Sequence, residues 1–135
     1  MSGVTISHGC FDGSLAQFDS LRLIWAQVGG IGVNDYRDRG GPIMPNLPYH
    51  WLTDEDMLGE WPDGAPDDPL VILLAHFEDR GRIKWQHCPL LAARLEELEH
   101  KLMVPGTVPG WVLDTQRFYR GLRTAAHWRQ DVTFA

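Results

Sequence analysis

Leu70-Val71-Ile72-Leu73-Leu74-Ala75 is the longest unbroken apolar run in this chain of 135 residues, and its reading decides what the core is built around. A continuous run belongs to a buried element, but continuity hides the periodicity that would separate strand from helix. Asp68-Pro69 suits a helix start. The brevity of the run and the turn residues Asp79-Arg80-Gly81 suit a central strand, and the run is read here as a strand.

Downstream the signals are helical. Pro89 fits a first helical position, and Leu91, Leu95, Leu98 and Leu102 form one apolar stripe with Glu96, Glu97, Glu99 and Lys101 outside it. Pro105 and Pro109 bracket a loop. Asp114 can cap a last helix whose inner face is Phe118, Leu122 and Ala125, and Val132-Thr133-Phe134 is expected as a strand beside Val4-Thr5-Ile6. Upstream, His8-Gly9-Cys10-Phe11-Asp12-Gly13 reads as a turn. Ser14 then caps a helix carrying Leu15, Phe18, Leu21, Trp25 and Val28 on one stripe, which Gly29-Gly30 ends. Residues from about 29 to 50, rich in glycine and proline, are expected as an irregular loop. Thr53 caps a short helix before Gly59. The expectation is one α+β domain over residues 1–135, a small sheet packed against about three principal helices.

No apolar stretch approaches the roughly 20 residues that span a bilayer. The first residues have neither a basic flank nor a long apolar segment, so a cytoplasmic protein with no membrane contact is expected. Cys10 and Cys88 are too few and too far apart for a disulfide scaffold and read as reduced thiols. The net charge of −6 is local. Residues 53–68 hold Asp54, Glu55, Asp56, Glu60, Asp63, Asp67 and Asp68 without a base, while the other 119 residues carry 11 acids against 12 bases. Near the C-terminus Arg117, Arg120, Arg123 and Arg129 face only Asp114 and Asp131. A nucleic-acid binder presents a larger positive surface, so nucleic acid is not expected as a partner.

Two constellations could carry chemistry. His8 with Cys10, His87 with Cys88, and His76 offer thiol and imidazole, but the gaps within the pairs are shorter than those of zinc motifs. No nucleophile motif places a base beside either thiol, so no catalytic residue, metal or cofactor is assigned. The second constellation is aromatic and acidic. Six tryptophans are many for this length, and Trp51 and Trp61 flank or occupy the acidic segment. An indole buries a large area at low entropic cost, which suits an interface or the pinning of a loop to the core. Trp51, Trp61, Asp63, Asp67 and Asp68 are therefore candidates for one contact surface, and Arg117, Arg120 and Arg123 for another.

Gly9-Cys10-Phe11-Asp12-Gly13-Ser14, the Leu73-Leu74-Ala75-His76 segment after Asp68-Pro69-Leu70, the helix around Leu91 to Leu98, and Phe118-Tyr119-Arg120-Gly121-Leu122-Arg123 together resemble an uncharacterised family of small bacterial and bacteriophage proteins. That family brings no activity with it. Where its members carry an acidic, cysteine-containing turn after the histidine, this chain reads His76-Phe77-Glu78-Asp79-Arg80-Gly81-Arg82-Ile83, with aspartate at the cysteine position and arginines at two acidic ones. The resemblance implies a viral or bacterial setting, with the host cytoplasm as location if phage-encoded. The function expected is that of a non-enzymatic accessory protein acting by protein contact or self-association. The alternatives are a Cys/His-based enzyme or metal-binding module, and a structural virion component.

Overall fold

The structure, a computed structural model, describes residues 3–35, 37–39, 43–45, 53–62, 66–102 and 109–135. β1 (Gly3–Ile6) and β2 (Phe11–Ser14) form an antiparallel hairpin in which Ile6 lies opposite Phe11. Alternation along β1 buries Val4 and Ile6. The expected turn is shorter than read, because Phe11 turns inward onto Phe18, ring centroids 5.2 Å apart, and draws its strand into the pair. Ser14 leaves β2 and caps α1 (Leu15–Gly29) in a reciprocal box with Gln17, and Gly30 closes the helix in the left-handed region at φ 76°.

The apolar run is a helix, α3 (Leu70–Leu74), and the strand reading is corrected. The Asp68 carboxylate accepts the Leu70 N–H at 3.0 Å and its carbonyl accepts the Val71 N–H at 3.1 Å, so Asp68-Pro69 starts the helix as its sequence allows. All five residues are buried, which removes the polar face that would have revealed a helical period. The strand after it is the short β5 (Arg82–Ile83), which pairs antiparallel with β6 (Val132–Thr133). Phe134 bridges to Ile6 and the Ser7 N–H reaches the Thr133 carbonyl at 2.9 Å, so the C-terminal strand lies beside the N-terminal hairpin as expected. α2 (Asp54–Met57) carries the expected Thr53 cap, again in a reciprocal box, here with Asp56. The region read as an irregular loop contains a small antiparallel pair, β3 (Val33–Asp35) with β4 (Ile43–Pro45), and a 3-10 turn at Arg37–Arg39.

α4 (Cys88–Leu102) and α5 (Pro109–Trp128) pack along each other and form the largest helix pair. α5 begins at Pro109, earlier than the Asp114 start read from sequence, because proline is tolerated in a first turn where no N–H is needed. The expected stripes face the core, with Leu91, Leu95, Leu98, Leu102, Phe118, Leu122 and Ala125 buried. Glu99 is buried between the two helices and accepts from Tyr119 Oη at 2.7 Å and from Gln116 Nε2. The Trp25 ring meets Phe118 edge-on at 5.3 Å and its N–H donates to Thr115 Oγ1 at 2.8 Å, which joins α1 to α5. The helices and small antiparallel pairs make a small α+β fold.

Candidate functional site

Because Phe118, Leu122 and Ala125 point inward, residues three and four apart on the other side of α5 point to solvent. Leu113, Arg117, Arg120, Thr124, His127 and Trp128 are all exposed. Arg117 and Arg120 make no ion pair among the described residues. Arg123, beside them, pairs with Glu96 at 2.9 Å and lies 4.9 Å over the Tyr119 ring. That hydrogen bond holds the Glu96 carboxyl below the usual carboxylate range and raises the guanidinium. Leu113 is 57 % exposed and Trp128 65 %, so the arginine face ends in an uncovered apolar side chain on each side. Sequence reading found the arginines. It did not single out Leu113 or Trp128, which only the helical phase shows to face out.

The acidic segment is divided by the fold. Trp61, a contact candidate, is 3 % exposed and packs into the core, so of its two expected roles it pins the segment down. Asp56 caps α2. Glu60 accepts from Arg82 at 2.8 and 3.0 Å and lies 3.6 Å from Lys84; the arginine hydrogen bonds keep its carboxyl below the usual range. Asp68 pairs with Arg94 at 3.2 Å besides starting α3. Exposed and without an ion pair among the described residues remain Asp54, Glu55 and Asp67. Trp51 and Asp63 lie outside the described residues.

The two thiols and His76 are buried in the fold. Cys10 is buried with Gly121 of α5 against it, and burial pushes its thiol far up. Cys88 is buried at the start of α4 and its thiol is pushed up to about 12. Neither is a ready thiolate. His76 is buried, stacked on Phe134 at 3.9 Å, with Nδ1 2.7 Å from the Phe77 carbonyl and Nε2 2.9 Å from the Arg82 carbonyl. Its own carbonyl accepts from Arg22 Nη1 at 3.0 Å, and Arg22 also pairs with Asp19 at 2.6 Å and Glu78 at 2.8 Å. This buried ionic knot escaped sequence reading, since an arginine one helical turn after Asp19 reads as surface. His8 hydrogen-bonds Ser7 and Gln130.

Among the described residues no group of three or more His, Cys, Asp or Glu is placed to hold a metal ion, and no helix is long and apolar enough to cross a membrane. Among the clefts lined by described residues are two of small-ligand size. One, of about 500 Å³, lies between the β1–β2 hairpin and α5; the other, of about 460 Å³, is lined by Arg82, Lys84, Trp85 and Arg129. In the second, Arg82 bonds both Glu60 and Asp131, and Arg129 is exposed without an ion pair among the described residues. Compared with known proteins, the chain matches no family model, no curated protein and no solved structure.

Proposed function

We propose that this protein acts by protein–protein contact, as an accessory protein of a bacterial or bacteriophage system, and that the outer face of α5 is its contact surface. The observation that carries the reading is the pair Arg117 and Arg120, without ion pairs among the described residues, set between exposed Leu113 and Trp128. Arginine and tryptophan are the residues most enriched where binding energy concentrates, and uncompensated positive charge selects an acidic partner. The protein carries such a surface itself in Asp54, Glu55 and Asp67, so the partner is a second copy whose acidic segment meets this helix.

Charge exchange tests it. Arg117→Glu with Arg120→Glu, and separately Asp54→Lys with Glu55→Lys, should each weaken self-association by at least about tenfold, and a mixture of the two should associate again through the exchanged charges. Unchanged association in either variant, or no recovery on mixing, would remove α5 and the acidic segment as the contact.

A further inference from the structure

We propose that Ser7, His8 and Gln130 form a nucleophile, base and orienting group that hydrolyse short-chain carboxylic esters in the cleft between the β1–β2 hairpin and α5. Ser7 Oγ lies 2.7 Å from His8 Nδ1, and His8 Nε2 lies 2.8 Å from Gln130 Oε1. A glutamine oxygen can only accept, so Nε2 carries the proton and Nδ1 is left as the acceptor for the serine hydroxyl. The Thr133 N–H donates to Ser7 Oγ at 2.9 Å, which fixes the oxygen while leaving its own proton directed at the imidazole. A nucleophile within hydrogen-bond reach of a base, which is oriented by a third group, is the arrangement that activates hydroxyl nucleophiles on unrelated folds.

The backbone at this point is unusual. His8 is held in the left-handed region at φ 61°, with Gly9 following at 72°, and a non-glycine residue there is strained unless its surroundings impose it. The Ser7 N–H is tied to the Thr133 carbonyl at 2.9 Å, and Ser7 and Gly9 line an open volume beside it. That volume, about 500 Å³, is of small-ligand size; Ser7 lines it with Ile6, Phe11, Asp12, Asp114 and Arg117. Ile6 and Phe11 give an apolar floor for a short acyl chain. Asp12 and Asp114 favour an alcohol portion that is neutral or cationic. Arg117 is the only cation among the described residues that line the cleft.

In the reaction, Ser7 Oγ adds to the ester carbonyl carbon while its proton passes to His8 Nδ1. Arg117 is the cationic group available in the cleft to the oxyanion that forms. Collapse breaks the bond to the alcohol oxygen, which leaves with the proton from His8, and an acyl-serine remains. Water then adds with His8 again as base, and the acid and free Ser7 are released. Gln130 is a positioning residue, because it acts through His8. The activity does not rest on contact through α5, although Arg117 belongs to both surfaces.

The test uses the whole protein with an alkyl fluorophosphonate and with p-nitrophenyl acetate. The phosphonate should form one adduct, on Ser7, as the Oγ–P bond forms and fluoride leaves with the serine proton, and ester turnover should disappear with labelling. Ser7→Ala should lower turnover at least about 100-fold, the scale of lost nucleophile and base catalysis. Gln130→Glu should move the pH–rate profile to higher pH, because a carboxylate stabilises the imidazolium, which a purely structural role would not do. Labelling is read on the unaltered chain and so does not depend on a variant folding. A protein that stays unmodified at Ser7, or a folded Ser7→Ala variant with undiminished turnover, would overturn the proposal.

Discussion

His76 sits with a carbonyl oxygen at each ring nitrogen, and a neutral imidazole has only one proton to give them. Protonation would satisfy both, but burial opposes the charge and Arg22 nearby adds to the opposition; burial is the larger effect and lowers the histidine below its ordinary value of 6.5. The unfolded chain therefore binds the proton more readily than the folded one. The stability held by neutral His76 is complete above about 6.5 and declines as pH falls through that value toward the folded one. Urea midpoints measured from about pH 7.5 down to about 5.5 should fall, and the fall should shrink in His76→Gln. A slope identical in the two proteins would contradict this account of the buried ring. At this scale the sequence was only partly legible. It offered His8, His76, Cys10 and Cys88 as chemistry, yet which side chain meets which is set by non-local packing, such as Gln130 reaching His8 from 122 positions away.

Helices were legible where they are amphipathic. The stripes of α1 and α4, and the inner face of α5, appear in the sequence because each has a solvent side for contrast. α3 has none, and the pair β3–β4 is too short to set up an alternating pattern, so both were misread. Glycine marks where elements come closest. A Cβ at Gly121 would stand 2.5 Å from Cys10 Sγ and 2.8 Å from the His8 carbonyl, so α5 lies on the hairpin without room for a methyl group. Gly59 is tighter still: at φ 88°, an added Cβ would meet the Arg82 carbonyl. For Gly121→Ala, overpacking of about 1–3 kcal/mol opposes the roughly 1 kcal/mol that alanine gains over glycine in a helix. The displaced groups include backbone, so the clash should win and the thermal midpoint should drop. A rise in the midpoint would show that the hairpin yields easily there.

Over the whole molecule, folding divides the charge that sequence showed only as a local excess. Asp56, Glu60 and Asp68 are drawn into caps and ion pairs, and Arg82, Arg94 and Arg123 into their counterparts, which leaves among the described residues of the two clusters Asp54, Glu55 and Asp67 on one side and Arg117, Arg120 and Arg129 on the other. The sequence showed both charge clusters but could not say which members were already spent internally, because their partners are distant in the chain. Tryptophan shows the same limit: Trp61 was a candidate contact residue and is core, while Trp128 is exposed. What remains uncompensated is what a partner can use, and attraction between such faces is screened beyond roughly 8 Å at physiological ionic strength. Sedimentation equilibrium of the unaltered protein across a salt series is the most direct measurement. The mean mass should exceed that of the 15.3 kDa chain at low salt and fall toward it as salt rises; a single monomeric mass at every salt concentration would contradict contact between copies through α5.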